Sequence, residues 1–354
     1  MLSYFSRKAS IVKKAANFRM ATIFSKVTIF RKAAMRIHSF KIVLMAAASA
    51  CFITMAAADT SFGVVGDVPY GKKALARFPE LVSSIESSQI EFLIHVGDIK
   101  GGSAPCTDEV LTSRVKAIDD IRRPTIFIPG DNDWTDCHRR GAGGYQPLER
   151  LQLLRELAYP NIGVSLGTPP MQLNSQATTP GLEEFPEHQY WTSDNISFVA
   201  LHVLGSDNGL AQFKGRTKAD DDEAIRRINA SINWLNSSVL RALESKSDAL
   251  VIAIHGNPFG MSKRRAKKYD IKPFAGLLAA VRKGAADLAK PVLLVHGDTH
   301  DFKFDQPLRD SSDQTISNIY RLEGIGSPDI GWVEVTFAIE DPEPFQINTY
   351  FISD

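Results

Sequence analysis

Five short stretches run from an apolar, β-branched or aromatic segment into a glycine-containing turn that carries Asp, Asn or His. They are FGVVGDVPYG (62–71), FLIHVGDIKGG (92–102), TIFIPGDNDW (125–134), LVIAIHGNPFG (250–260) and LLVHGDTH (293–300). Each apolar run suits a strand buried within a sheet. Five such strands delivering carboxylates, amides and imidazoles to their carboxyl ends predict an open α/β sheet with a metal site at its rim. One Gly-Asp turn alone is ordinary turn chemistry. Five in the same strand context are more than fold demands alone produce.

The sequence between these stretches predicts helices over 72–87, 107–121, 147–157, 219–244 and 270–287. In the fourth, Ile225, Ile228, Ile232, Leu235, Val239 and Leu243 recur at three- and four-residue spacing and predict the buried face. Asp220, Asp221 and Asp222 fall in its first turn, where carboxylates complement the helix dipole. Further strands are expected over 187–192, 196–204, 317–323, 331–338 and 345–351, and residues 158–186 read as a long excursion. Strand–helix alternation followed by strand-rich sequence predicts the α/β class, with helices flanking two packed mixed β-sheets.

The charge balance divides the chain. It carries 41 Lys and Arg against 40 Asp and Glu, but residues 1–58 hold ten of the basic residues and no acidic one. Without that segment, 31 basic side chains face 40 acidic ones, a net charge of −9. An acidic domain argues against nucleic-acid-specific binding. From Met35, a short basic region, an apolar run and small residues up to Ala58 read as a signal segment with cleavage after Ala58. Residues 1–34 are then a long basic leader or an over-extended start, and 59–354 is a single domain. Export to the periplasm or outside the cell is the expectation, and a mitochondrial transit peptide is the alternative. The mature chain has no segment expected to span a membrane. Cys106 and Cys137 remain after cleavage, and an even count in an oxidising compartment predicts one disulfide, with two free thiols as the alternative.

The order Asp, GD, GDN, strand-ending His and G-x-x-H resembles the calcineurin-like metallophosphoesterases, over Ser61 to about Phe337. The resemblance implies a four-layer sandwich and two divalent metal ions bridged by one Asp. It also implies hydrolysis of phosphate mono- or diesters by attack of a metal-bound hydroxide. Matched residue by residue, it implies Asp67 and His300 as ligands of the first metal and Asp98 as the bridge. For the second it implies His255 together with Asn132 or, in the ungapped match from Gly130, Asp131.

Three imidazoles of the family pattern are replaced, by Pro69, by Asp133 (or Asn132) and by Asp298. His296 and Asp298 are candidate replacement ligands, and His138 or Asp133 a replacement general acid. The oxygen-rich set favours Mn, Mg or Ca, with Fe or Zn as alternatives. Lys100, Arg139 and Arg140 are candidate phosphate contacts, and KRRAKK (263–268) reads as a solvated basic loop. His95 and His202 read as core residues, His188 as surface, and Asn208 and Asn257 as turn formers. The expected partner is a phosphorylated small molecule or another phosphoester. The reading from a different class is a catalytically impaired metal- or phosphate-binding protein on the same fold.

Overall fold

The structure, a computed structural model, describes residues 60–260, 272–339 and 341–353. The expected leader (1–58) and the basic run at 263–268 lie outside the described residues.

Three of the motif-bearing runs form adjacent parallel strands, β1 (Thr60–Val65), β2 (Phe92–His95) and β3 (Thr125–Phe127). The second sheet contains β4 (Asn174–Ser175), β5 (Gln189–Ser193), β6 (Ile196–Ala200), β7 (Ala249–Ala253), β8 (Val292–His296), β9 (Lys303–Asp305) and β10 (Ile319–Glu323). The first is completed by β11 (Gly331–Phe337) and β12 (Phe345–Phe351), with strand order β12-β11-β1-β2-β3. The second has order β4-β5-β6-β7-β8-β10-β9. Both sheets are mixed. β11 pairs antiparallel with β1 and β12, whereas β6, β7, β8 and β10 run parallel.

Strand alternation sorts the side chains into layers. Phe62, Val64, Phe92, Ile94 and Ile126 from one sheet meet Phe198, Ala200, Val251, Leu293 and Val295 from the other in one buried cluster. The opposite face of the first sheet, with Val65, Leu93 and Phe127, packs on helices α1 (Gly71–Ser87), α2 (Asp108–Asp119) and α3 (Pro147–Ala158). Val199, Leu250, Ile252 and Leu294 of the second sheet pack on α4 (Lys218–Glu244) and α5 (Ala275–Leu288). Each fully buried Leu, Ile, Val or Phe stabilises by about 1.5–3 kcal/mol. Two mixed sheets flanked by helices match the expected class.

Two expectations are corrected. On α4, Leu235 and Val239 are buried, but Ile225 and Leu243 are exposed, and Glu223, Ala224 and Arg227 lie inward instead. The cause is electrostatic: Arg227 pairs with Glu223 at 2.8 Å and donates to the His202 carbonyl at 3.2 Å, so the amino-terminal half of the helix buries an ion pair. His188 is buried rather than on the surface, held between Gln176 Oε1 (2.6 Å) and Ser231 Oγ (3.0 Å). Among the described residues, no helix is long and apolar enough to cross a membrane.

Candidate metal centre

Parallel strands bring their carboxyl ends to one rim, so the turns after β1, β2 and β3 face those after β7 and β8. Four residues on these turns adopt left-handed backbone: Asp67 (φ 54°), Asp98 (φ 59°), Asp298 (φ 75°) and His300 (φ 61°). Such conformations cost about 1–3 kcal/mol each and persist where surrounding bonds over-determine them. The Asp67 amide donates to the Gly97 carbonyl at 3.0 Å and the Gly297 amide to the His255 carbonyl at 2.9 Å. The buried Asp133 carboxylate accepts the amides of Asp98 (2.9 Å), Ile99 (2.9 Å) and Gly130 (2.8 Å), clamping the second turn to the third. Gly130 is required there, because a Cβ would stand 2.1 Å from Asp98 Oδ1.

Six ligand-bearing side chains converge. Asp67, Asp98 and His255 place one donor atom each within 4.8 Å of one another, and so do Asp131, His255 and Asp298. His255 Nε2 lies 3.2 Å from Asp131 Oδ1 and 3.4 Å from Asp98 Oδ1. His300 Nε2 lies 3.2 Å from Asp67 Oδ1. The two imidazoles are aimed in the same way. His255 Nδ1 is 2.6 Å from the Val96 carbonyl and His300 Nδ1 is 2.6 Å from the Ser327 carbonyl. A carbonyl only accepts, so each Nδ1–H donates and each Nε2 turns toward the carboxylates, the orientation of metal-binding histidines. Asp67 Oδ2 accepts the Asp298 amide at 3.1 Å, which links the two sheets.

The electrostatics ask for cations. Burial raises the Asp98 carboxyl well above its ordinary range; His255 opposes this, while Asp131, Asp133 and Asp67 add to it. Asp136 is pushed up to about 8 by burial and by the neighbouring Asp131. Burial works against charge on His255, but Asp98, Asp131 and Asp67 outweigh it and raise its pKa well above the ordinary value. Carboxylates this close do not all ionise without compensating positive charge. Four carboxylates and two imidazoles are a donor set that fits divalent cations of the harder kind.

The remaining expected residues divide. Asp131 carries its carboxylate into the group with His255 and Asp298. Asn132 donates its backbone amide to Asp98 Oδ1 at 2.9 Å and its side-chain amide to the Tyr70 hydroxyl at 2.9 Å and to Asp98 Oδ2, so its side chain also stands at the cluster. Pro69 follows a cis peptide bond and offers no ligand atom. His296 is buried beside Phe259, gives its Nδ1–H to the Gly297 carbonyl, and belongs to neither ligand group. His138 bonds the Thr135 carbonyl at 2.7 Å and stacks on Phe213, neither of which is in the cluster.

Lys100 is buried, which pushes its pKa down against the pull of Asp133, Asp98, Asp136 and Asp131, and its Nζ has no hydrogen-bond partner among the described residues. Arg139 is exposed and pairs with Asp136 at 2.5 Å, and Arg140 is exposed on the following turn. Cys106 and Cys137 form a disulfide, Cα atoms 5.7 Å apart, joining the segments after β2 and β3 as expected.

Two contributors escaped the sequence reading. Tyr70 donates its hydroxyl to Asp98 Oδ2 at 2.6 Å, and Ser206 donates to Asp131 Oδ2 at 2.5 Å. Tyr70 was visible as the aromatic three residues beyond Asp67; Ser206 carried no signal beyond an Asn-containing turn.

No family model matches the sequence, and no curated protein matches it. Among solved structures, the chain is similar to Vacuolar Protein Sorting 29 from Cryptosporidium parvum, at 11% identity and TM-score 0.32, over 84% of this chain and 99% of that one. It is similar to 5'-nucleotidase from Candida albicans SC5314 at 12% identity and TM-score 0.42, over 82% of this chain and 51% of that one. This chain thus spans about half the nucleotidase's length. A Vps29 from Entamoeba histolytica gives 9% identity and TM-score 0.29, over 83% of this chain and 100% of that one. Likeness this distant says nothing of activity.

Proposed function

We propose that the chain is a metal-dependent phosphoesterase acting on phosphate mono- or diesters. One observation carries the reading: Asp67, Asp98, Asp131 and Asp298, drawn from both sheets, surround two imidazoles whose Nδ1 atoms are committed to carbonyls. Asp67, Asp98 and His300 would hold one divalent ion, and Asp98, Asp131, His255 and Asp298 a second. Together the two ions would polarise the phosphoryl group and supply the nucleophile. The approach of Asp131 Oδ1 to His255 supports Asp131 as the third-motif ligand, with the Asn132 side chain against Asp98, and the grouping of Asp298 with both supports Asp298 in the place of a lost imidazole.

The chain's own residues have separable duties. Arg139 is exposed at the rim and suits a phosphate oxygen, with Arg140 next to it. Lys100 is buried near Asp133 and Asp98, where its ammonium would offset part of the negative charge of the cluster. Asp133 is spent on backbone amides, which argues against it as the acid for the leaving oxygen, and the contacts of His138 with Thr135 and Phe213 hold it outside the cluster. The mature protein would be residues 59–354, exported to the periplasm or beyond the cell, a compartment in which a disulfide persists.

The test is hydrolysis of p-nitrophenyl phosphate and its bis-ester, after chelation and after Mn²⁺ is restored. Turnover should depend on Mn²⁺, and Asp98→Asn should lower it by more than about 100-fold, beyond the usual cost of losing an outer partner of a metal site. Equal slow rates with and without metal would contradict the phosphoesterase reading. Bound metal without turnover would make the chain a binding protein on this fold.

A further inference from the structure

Between β6 and α4 the chain makes a turn whose backbone is unusual. Ser206, Asp207 and Asn208 have φ of 48°, 56° and 53°, three consecutive non-glycine residues in the left-handed region. L-residues visit that region singly rather than in runs. A run survives only where its surroundings leave no alternative.

The surroundings are specific. Arg227, fully buried on α4, donates to Asn208 Oδ1 at 3.0 Å and to the Asn208 carbonyl at 3.1 Å, while pairing with Glu223. Asn208 Oδ1 also accepts the Leu204 amide at 3.1 Å. The Ala211 amide closes the turn on the Ser206 carbonyl at 3.1 Å.

The turn bears on one half of the metal centre. Ser206 Oγ donates to Asp131 Oδ2, which leaves Asp131 Oδ1 for the His255 side. A Cβ on Gly205 would stand 2.6 Å from Asp298 Oδ1 and 2.9 Å from Asp131 Oδ2, so only glycine fits beneath those carboxylates. The amides of His255 and Gly256 both bond the Val203 carbonyl, at 3.1 and 2.9 Å. Asp131, His255 and Asp298 therefore all rest on residues 203–206.

We propose that this left-handed turn, pinned by Arg227, is a positioning device for the second metal subsite, with Ser206 fixing the orientation of the Asp131 carboxylate. The inference rests on the two-subsite reading above, and its test separates the two. Ser206→Gly removes the hydroxyl yet suits a φ of 48° better than serine does. The experiment titrates wild type and variant with Mn²⁺, following free Mn²⁺ by EPR, and records thermal unfolding of each metal-free protein.

In the variant the first ion should bind as in wild type and the second about 10–100-fold more weakly. Its unfolding midpoint should lie within a few degrees of the wild type, because relief of the left-handed serine offsets part of the lost hydrogen bond. Unchanged affinity for both ions overturns the positioning role. A midpoint lowered beyond that range with both ions weakened overturns it too, since that is the mark of a merely structural residue. Fewer than two ions on the wild type overturns the two-subsite reading, and this inference with it.

Discussion

The two halves of the candidate centre are held by different means. Asp67 and His300 are fixed by single bonds between turns: the Asp298 amide on Asp67, the Ser327 carbonyl on His300, and Tyr70 reaching across to Asp98. Asp131 and His255 are braced by a buried polar framework extending well behind them. Trp134, three residues beyond Asp131, donates to His202 Nε2 at 3.2 Å. His202 in turn gives its Nδ1–H to Glu187 at 2.6 Å, and Glu187 pairs with Arg155 at 2.5 Å. Burial works against charge on Glu187, but Arg155 and His202 outweigh it and hold it below the usual carboxylate range. One half is therefore a set of turns, and the other is a set of turns mounted on charge. A half mounted on buried charge should lose its bracing as the pH falls and as distant partners are removed.

The strongest single link between the halves is covalent, since the disulfide joins the segment after Asp98 to the one after Asp131. Cys106→Ser should cost about 3–4 kcal/mol for a closed loop of this size, with a sequence separation of 31. Urea unfolding under oxidising conditions would measure it, and wild type and variant should converge once a reductant is added. An unchanged midpoint would mean that the clamp made by Asp133 alone holds the segments together.

The next effect is pH. Burial lowers His202 from an ordinary value of 6.5 to about 4, against the pull of Glu187, so the folded state keeps it neutral. A histidine depressed in this way contributes stability fully above 6.5 and loses it as pH falls toward 4. Glu187, also depressed, adds a further loss below about 4.5, the ordinary value for a glutamate. His188, lowered to about 3 by burial, acts in the same direction as His202. The contribution of these groups to stability should therefore fall between pH 7 and pH 4. NMR titration of the His202 ring checks the cause, because protonation near 6.5 in the folded protein would contradict it.

The smallest effect falls on the other half. Tyr70→Phe removes one hydrogen bond to Asp98, worth about 1.5–3 kcal/mol when the acceptor is charged. It should weaken Mn²⁺ binding modestly while leaving the acid sensitivity unchanged. A steeper acid loss in this variant would show that the halves are not separately held.

What the sequence disclosed follows the same division. The strand-to-turn runs announced Asp67, Asp98, His255 and His300, because a buried strand ending in Gly-Asp is written in adjacent residues. The cysteine pair was equally legible from an even count. The register of the third motif was not, since the peptide after Gly130 brings both the Asp131 carboxylate and the Asn132 side chain to the cluster. The buttress was also hidden. Ile225 looked like core and is exposed because Glu223 and Arg227 outcompete it for the inner face, a pairing that hydrophobic periodicity does not register. His188 looked like surface because its partners, Gln176 and Ser231, are distant in the chain. Ser206 was silent because left-handed backbone there is imposed by Arg227 rather than encoded by glycine.

The central claim is that these turns form a centre for two metal ions. Anomalous diffraction from Mn²⁺-soaked crystals, recorded near the manganese edge, tests it most directly. Two peaks are expected: one among Asp67, Asp98 and His300, the other among Asp98, Asp131, His255 and Asp298. A map with no peak at either place, in crystals soaked at saturating Mn²⁺, would contradict it.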